Sequence, residues 1–352
     1  MESLLSYGRI PSTSSKFVFE QSAVPFASCH ASTLVALANG DLLMAWFGGT
    51  DEGAPDVAIW AARLTNGTWS APVEMVREPG TPTWNPVLFY THDQRLWLYY
   101  KYGTTPAIWS AARKYSDDHG HTWSPVEYLP AGVYGPIRAK PLVLPDGTVV
   151  SGTSVESYRN WSVWIERSTD HGHTFAKIGP ITVPDHTSDE ILIGAAPEDV
   201  PGSNDWQFTR GIIQPSVVNM GGAHLRLYAR ATAKTGRVCV ADSSDSGLTW
   251  TQARPIEVPN PNSGIDAVAL HDGRIVLIYN HTRVGRSPLN VAVSRDGETF
   301  TPFLTLEDTP GGEFSYPNII QTEEGDLHIS YTWQRRNICY VRVRLADVPL
   351  PS

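Results

Sequence analysis

The chain has 352 residues, with 27 lysines and arginines against 36 aspartates and glutamates, which gives a formal net charge of −9. Apolar residues make up 41% and charged residues 18%, so the chain can bury a core and does not resemble a disordered polypeptide. The acidic balance argues against binding to a phosphate backbone, and no run of 18 apolar residues predicts a membrane span.

The first residues and the cysteines together predict a cytoplasmic protein. Glu2 follows Met1 directly, and the apolar stretch of a signal peptide is missing from this sequence. Cys29, Cys239 and Cys339 are widely spaced and odd in number, so we expect reduced thiols and no disulfide framework.

An apolar strand, a turn with glycine and a second apolar strand recur along the chain. The turns are Asn39-Gly40, Asp146-Gly147, Asp272-Gly273 and Glu324-Gly325. Asn-Gly and Asp-Gly between β-rich runs are the strongest short-range signals for a β-hairpin. The pattern therefore predicts hairpins spread over the whole chain.

A second repeat has the pattern S-x-D-x-G-x-T-W/F. It begins at Ser116, Ser168 and Ser243, and a copy one residue shorter begins at Ser294. The aspartate can accept backbone N–H groups of a turn, and the glycine supplies a positive φ. The aromatic residue returns the chain to an apolar surface, so each copy predicts a hairpin turn.

Together the two repeats predict units of four strands, which is the size of a propeller blade. The predicted fold is all-β, a six-bladed β-propeller that forms a single domain over residues 1–352, because an open propeller would expose sheet edges. A strand at residues 17–20 is expected to close the ring with the last blade, and residues 184–210 are expected to form a loop over one face. The predicted blades begin near Ser28, Trp84, Arg138, Ile212, Ser263 and Ser315.

The S-x-D-x-G-x-T-W/F turns, known as Asp-boxes, and the hairpins resemble those of the sialidase-like propellers with BNR repeats, over residues 28–344. The segments 28–32, 46–53, 262–268 and 314–317 are similar to a branch of predicted neuraminidases. In sialidases, three arginines clamp the sugar carboxylate, a tyrosine assisted by a glutamate is the nucleophile, and an aspartate is the acid/base. The resemblance thus implies an exo-acting glycoside hydrolase.

The resemblance implies roles for five residues. Asp51 matches the acid/base, and Tyr316 matches the nucleophile. Arg230 matches the second arginine of the carboxylate clamp, and either Arg286 or Arg283 matches the third.

Two positions depart from the sialidase pattern. His30 occupies the place of the first arginine, because Arg9-Ile10-Pro11 lies too early for that strand, and Gln214 occupies the place of the glutamate. An amide cannot assist a tyrosine nucleophile as a base. Three glutamates could supply the missing carboxylate from another strand: Glu156, Glu198 and Glu313.

Polar residues near the starts of the inner strands are further candidates, because such positions face the central channel of a propeller. His30 can act there as a general base or as a neutral donor to a sugar hydroxyl. Lys140, Glu156 and Gln214 are predicted to bind substrate. The histidine pairs of the turn repeats do not predict a metal site, and no cofactor is expected.

Three functions follow from these residues. The first is an exo-acting glycoside hydrolase on a carboxylate-bearing sugar at the non-reducing end of a glycan. The second is a lyase that eliminates across a uronate, in which arginines neutralise the carboxylate and His30 or Tyr316 removes the C5 proton. The third is a non-catalytic sugar-binding propeller. The expected partner is an acidic oligosaccharide, and neither nucleic acid nor a membrane.

Overall fold

The computed structural model describes residues 14–157, 160–184 and 210–350. Strands account for 53% of the structure and helices for 2%, so the predicted all-β class is confirmed. Short 3-10 turns lie at Gln21–Ala23 and Leu345–Asp347. In the part of the chain that is described, no helix has the length and hydropathy needed to cross a membrane. Most of the loop predicted at 184–210, with Glu198, lies outside the described residues.

The strands follow one another along the whole described chain. In chain order they are β1 (Ser14–Phe17), β2 (Ser28–Ala36), β3 (Leu42–Gly49), β4 (Ala58–Thr65), β5 (Thr68–Trp69), β6 (Val73–Val76), β7 (Thr83–Tyr90), β8 (Leu96–Tyr102), β9 (Ser110–Ser116), β10 (Glu127–Tyr128), β11 (Leu142–Val143), β12 (Val149–Glu156), β13 (Asn160–Ser168), β14 (Ala176–Ile181), β15 (Arg210–Gly221), β16 (His224–Ala231), β17 (Arg237–Ser243), β18 (Arg254–Pro259), β19 (Asp266–Ala269), β20 (Ile275–Tyr279), β21 (Leu289–Ser294), β22 (Thr301–Glu307), β23 (Phe314–Gln321), β24 (Leu327–Trp333) and β25 (Asn337–Val343).

Neighbouring strands pair antiparallel into meanders. Strands β2–β6, β7–β10 and β19–β22 form three sheets, and β11–β18 share a fourth because β13 meets β15 in a short parallel contact. The fifth sheet joins the first and the last of these strands, since β1 pairs with β25 beside β24 and β23. The predicted N-terminal strand at 17–20 thus overlaps the observed strand at Phe17. The pairing stops soon after, where the carbonyl of Phe19 accepts the side-chain amide of Asn337 at 2.8 Å.

The S-x-D-x-G-x-T-W/F repeats form compact turns between strands. In the second copy, Asp170 accepts the hydroxyl of Ser168 at 2.6 Å and both the backbone N–H and the hydroxyl of Thr174 at 2.9 and 2.6 Å. Gly172 follows with φ +86°, and its carbonyl accepts the hydroxyl of Tyr99 on the preceding sheet at 3.2 Å. Each turn therefore docks its own sheet onto a neighbouring one.

Apolar side chains fill the space between successive sheets. Ile59 on β4 and Leu98 on β8 belong to one buried cluster, and Val276 on β20 and Ile329 on β24 belong to another. Alternating apolar residues on each strand supply both faces of this packing. Sheet-on-sheet packing thus stabilises the fold, while the first strands of the units carry buried polar groups instead.

Asp266, at the start of β19, connects several of these first strands. Its carboxylate accepts the hydroxyl of Ser216 on β15 at 2.7 Å and the amide of Asn318 on β23 at 3.0 Å. It also pairs with the ammonium of Lys140 at 3.0 Å. Because these bonds join β15, β19 and β23, the segments just before them are brought close together.

Candidate active site

Four first strands share one backbone irregularity near their beginnings. Each has a bulge at which a residue other than glycine adopts a positive φ: Ala31 (58°), Asn85 (36°), Gln214 (54°) and Tyr316 (51°). Three of these residues precede a proline, which makes a left-handed backbone still less favourable. Strained backbone of this kind clusters at functional sites, where it redirects side chains. The bulges therefore mark this end of the strands as the candidate active site.

Tyr316 lies at the centre of the site. Its phenolic oxygen accepts an N–H from Nη1 of Arg230 at 2.9 Å and one from Nε2 of Gln214 at 3.2 Å. The same Nη1 also donates to Oε1 of Gln214 at 3.2 Å, which fixes the orientation of the amide, and Nε of Arg230 donates to Asn262 at 2.8 Å. The two donors are therefore placed to stabilise negative charge that develops on this oxygen during a reaction.

Three guanidinium groups surround the ring of Tyr316. The central carbon of Arg138 lies 5.0 Å from the ring centroid, and those of Arg230 and Arg286 lie at 5.8 Å. Burial lowers the pKa of Arg138, and burial together with the charge of Arg230 lowers the pKa of Arg286. Positive charges that converge in a buried place repel one another, so the site favours an anionic ligand.

Arg138 also fixes the bulge that carries Tyr316. It is buried, and it donates to the backbone carbonyls of Ile265, at 2.9 Å, and Pro317. A Cβ atom at Gly264 would lie 3.2 Å from Nε of Arg138, so this close approach depends on glycine. The guanidinium thus connects β23 to the segment before β19 directly beneath the tyrosine.

His30 packs against Tyr316, with 4.1 Å between the ring centroids. Its Nδ1 lies 3.0 Å from the hydroxyl of Thr332, whereas Nε2 has no partner among the described residues. Burial, followed by the charges of Arg335 and three other arginines, holds the pKa of His30 well below its usual value. The imidazole is therefore neutral near pH 7, with one nitrogen available.

Glu156 ends β12 beside the arginines and is 8% exposed. It lies opposite Trp161 in the strand register, and the Trp161 ring lies 5.8 Å from the guanidinium of Arg230. Burial raises the pKa of Glu156 to about 7, which the charge of Arg230 opposes and that of Glu52 assists. Its Oε1 has no hydrogen-bond partner within the described ranges. The site therefore contains a carboxyl group that titrates near neutral pH.

Replacing Glu156 by glutamine is expected to stabilise the protein at pH 8 but not at pH 5. The native carboxyl keeps its proton up to about pH 7, whereas an unfolded glutamate releases it near 4.5. The unfolded state then binds fewer protons between these values, so the stability of the wild type falls as pH rises through this window. Glutamine has no carboxyl group to ionise, so it avoids this loss of stability. The free energy of unfolding of Glu156→Gln should therefore exceed that of the wild type by about 3 kcal/mol at pH 8. Urea unfolding at both pH values measures the difference.

Glu166 on β13 is the matched control, because it is a buried glutamate of the same sheet. Its carboxylate accepts the backbone N–H groups of Tyr134 and Gly135 at 2.9 and 2.6 Å. Glu166→Gln is therefore expected to lower the free energy of unfolding at both pH values. A Glu156→Gln variant that is less stable than the wild type at pH 8 would contradict the assignment.

Asp51 lies in the exposed loop after β3. Its carboxylate accepts the backbone N–H of Glu52 at 2.8 Å, while the side chain of Glu52 forms an ion pair with Arg335. Gly53, in the same loop, packs on Trp84: a Cβ atom there would lie 3.2 Å from the indole. The loop thus reaches the site through Glu52, and the acid/base role of Asp51 stays a prediction.

Lys140 and Arg283 have other surroundings. The ammonium of Lys140 is engaged by Asp266, and Arg283 is exposed and lines a surface cavity of about 330 Å³ with Arg237 and Glu257. Of the two alternatives for the third arginine, Arg286 is the one that faces Tyr316. The substrate-binding roles of Lys140 and Arg283 stay predictions. In the described ranges, no group of three histidine, cysteine or acidic residues has the geometry of a metal site.

The sequence also matches a family model along most of its length. The model of the BNR repeat-like domain matches residues 40–329. The chain belongs to this BNR repeat-like family. A curated relative, the sialidase of Micromonospora viridifaciens, is 27% identical over 299 residues, which cover 79% of this chain and 42% of that protein. The chain thus spans less than half the length of this relative, and the predicted sialidase-like relationship is confirmed.

Solved structures of other proteins share the fold of this BNR repeat-like chain. A Hadza microbial sialidase superposes with a TM-score of 0.73 at 18% identity, over 95% of this chain and 69% of its own. A Trypanosoma rangeli sialidase in complex with the inhibitor DANA gives 0.70 at 13%, over 94% and 60%. A protein of unknown function from Dyadobacter fermentans gives 0.73 at 16%, over 95% and 99%. At these identities the likeness establishes the fold.

Several residues of the candidate active site were missed by sequence reasoning. Arg138 lies two positions before Lys140, and a blade was predicted to begin near it, so it was a usable candidate that the choice of substrate-binding residues left out. Asn262, Glu52 and Arg335 reach the site from turns and loops, where no periodicity indicates the direction of a side chain.

Proposed function

We propose that the protein is an exo-acting glycoside hydrolase of the sialidase type, which acts on a carboxylate-bearing sugar at the non-reducing end of a glycan. The observation that carries this proposal is the bond from Arg230 to the oxygen of Tyr316, with the guanidinium of Arg286 5.8 Å from the same ring. A candidate nucleophile and a candidate carboxylate clamp thus share one buried place.

The carboxylate of the sugar binds to Arg230 and Arg286. Nη2 of each guanidinium has no hydrogen-bond partner among the described residues, so each can offer an N–H to the ligand. Guanidinium groups recognise carboxylates through directed, charge-assisted hydrogen bonds. Binding also relieves the repulsion between the arginines, which favours acidic sugars over neutral ones.

Tyr316 reacts as the phenolate that Arg230 and Gln214 stabilise. Its oxygen forms a bond to the anomeric carbon while the bond to the leaving oxygen breaks, and Asp51 gives that oxygen a proton. Water then attacks the same carbon, Asp51 takes its proton, and Tyr316 leaves again as phenolate. Gln214 serves this step as a donor rather than as a base.

A uronate lyase is the second candidate, and His30 supports it. The neutral imidazole has an unpartnered Nε2 beside Tyr316 and can take the C5 proton of a uronate. The electron pair then forms the C4–C5 double bond, the C4–O bond breaks, and Tyr316 protonates the leaving oxygen. This reaction needs no carboxylate at position 214.

The number of blades and the closure of the ring are part of the same proposal. We take the meanders as six blades of one closed propeller over residues 1–352, with β1 completing the last blade. The bonds of Asp266 to β15 and β23 support convergence of the blades on one axis. The cytoplasmic location stays a prediction.

A product screen on acidic oligosaccharides tests the function, with sialosides and uronate-capped glycans among the substrates. Hydrolysis of a terminal acidic sugar, with much slower turnover of the matching methyl ester, is the expected result. An ultraviolet band from an unsaturated uronate would instead favour the lyase. Binding of acidic glycans with no product of either kind would favour the non-catalytic propeller.

A further inference from the structure

A surface cavity of about 330 Å³ lies beside the loop that connects β20 and β21. Its lining residues come from three places in the fold: the start of β17 (Arg237), the end of β18 (Glu257 and Pro259) and the loop after β20 (His281, Thr282 and Arg283). Ligand-binding pockets have volumes of about 300 to 1,000 Å³, so this cavity has room for a small ligand or for one part of a larger one.

Two walls of the cavity continue into the candidate active site. One wall runs from Pro259 to Asn262, whose side chain accepts an N–H from Nε of Arg230 at 2.8 Å. The other wall runs from Arg283 to Arg286, three residues later in the same loop. Three residues of chain span at most about 11 Å, so these two arginines lie close together. The cavity is thus adjacent to the candidate active site.

A buried asparagine holds each of these walls in place. Nδ2 of Asn260 donates to the carbonyl of Ser263 at 2.9 Å. Nδ2 of Asn280 donates to the carbonyls of Arg286 at 2.8 Å and Phe314 at 3.0 Å. Both asparagines are fully buried. The walls are therefore fixed before a ligand arrives, which lowers the entropic cost of binding.

The charged groups of the cavity leave one positive charge without a partner. Arg237 forms an ion pair with Glu257, whereas the exposed guanidinium of Arg283 has no ion-pair or hydrogen-bond partner among the described residues. The bond from Arg237 and, in addition, the charge of Arg283 lower the pKa of Glu257. Burial lowers the pKa of His281, and its Nδ1 is hydrogen-bonded to the hydroxyl of Tyr279, so this imidazole is neutral near pH 7. On a chain with a net charge of −9, the cavity is a local cationic site.

We propose that this cavity is an accessory binding site for a second anionic group, a carboxylate or a sulfate ester, carried by a sugar further along the same glycan. Arg283 binds this group through its unpaired guanidinium, and Glu257 competes with the group for Arg237. Guanidinium groups recognise carboxylates and sulfates through directed, charge-assisted hydrogen bonds. This inference rests on the proposed function and extends it, because it makes glycans with at least two negative charges the preferred substrates.

Matched glycans with one and two negative charges test the accessory site. The probes are sialyllactose and glucuronosyl-lactose, each unsulfated and with one sulfate ester on either sugar of the lactose. Affinity is measured by isothermal titration calorimetry in a Tyr316→Phe background, which prevents turnover. Arg283→Gln removes the unpaired cation. Glu257→Gln removes the competing carboxylate, and since the Glu257 side chain is 90% exposed, this substitution does not disturb the packing of the core.

We expect a sulfate ester on at least one of the two lactose sugars to strengthen binding by about 10-fold at low salt, and added salt to reduce this gain because the arginine is exposed. Arg283→Gln should remove the gain and leave binding of the unsulfated glycan unchanged, whereas Glu257→Gln should enlarge the gain a few-fold. The control is Arg254→Gln, because Arg254 is an exposed arginine at the other end of β18 that pairs with Glu298. This variant should keep the gain.

Three results would overturn the inference while leaving the proposed function intact. They are a wild-type background that binds sulfated and unsulfated glycans equally, a gain that survives in Arg283→Gln, and a gain that Glu257→Gln leaves unchanged. If Arg283→Gln does not fold, the response of Glu257→Gln decides. Failure to bind either unsulfated acidic glycan would instead contradict the proposed function, and this inference with it.

Discussion

Replacing Tyr316 by phenylalanine is expected to lower kcat on the acidic glycoside by about a thousandfold or more, with the affinity for the sugar largely kept. The substitution removes one oxygen, the atom to which Arg230 and Gln214 donate. The ring, which packs on His30 and Arg138, remains in place. Initial rates and binding of the free acidic sugar, measured on the same preparation, separate the two effects.

Tyr340 provides the control for this substitution. It is buried on β25, and its hydroxyl bonds to His328 at 2.7 Å. Tyr340→Phe therefore loses a buried hydroxyl of the same kind and should keep its activity. If Tyr316→Phe turned over substrate at the wild-type rate, Tyr316 would be neither the nucleophile of the hydrolase nor the acid of the lyase, and both mechanisms would be wrong.

Replacing Arg230 by glutamine is expected to lower kcat/KM on the acidic glycoside by roughly 100- to 1000-fold. Arg230 holds the amide of Gln214, donates to Tyr316 and offers Nη2 to the carboxylate, so both binding and the phenolate depend on it. Arg230→Lys should recover part of the lost kcat/KM, because lysine keeps the positive charge but lacks the planar guanidinium with its several N–H donors.

The methyl ester of the substrate serves as the internal control for Arg230. The wild type should use the ester poorly, and Arg230→Gln should narrow the difference between acid and ester. If the variant lost activity on both substrates by the same factor, Arg230 would position Tyr316 without contacting the carboxylate.

Much of the fold was predictable because short local sequence patterns determine its turns and strands. The turn of Asp170 and Gly172 needs a carboxylate and a glycine at a fixed spacing, and the sequence repeats that spacing. Tyr316, Arg230 and Gln214 were also predictable as a set, since the resemblance placed them and the structure brings them within hydrogen-bond distance of one another.

The rest of the site depends on contacts between residues far apart in the chain. Arg335 lies in the turn between β24 and β25, where its carbonyl accepts the N–H of Cys29 and its Nε donates to Glu313. Neither of these contacts leaves a periodic signal in the sequence. Arg138 was passed over in favour of Lys140, although its guanidinium lies 5.0 Å from the ring of Tyr316, whereas the ammonium of Lys140 pairs with Asp266. Charge compensation of this kind is visible only in three dimensions.

Labelled water provides the most direct measurement of whether this arginine-lined tyrosine cleaves acidic glycosides by hydrolysis. The protein is incubated with an acidic oligosaccharide in water enriched in oxygen-18, and the molecular mass of the released sugar is measured by mass spectrometry. We expect one oxygen-18 atom in the released acidic sugar, and none when Tyr316→Phe replaces the wild type. Release of an unsaturated, unlabelled sugar, or no release from any acidic glycan, would contradict a glycoside hydrolase.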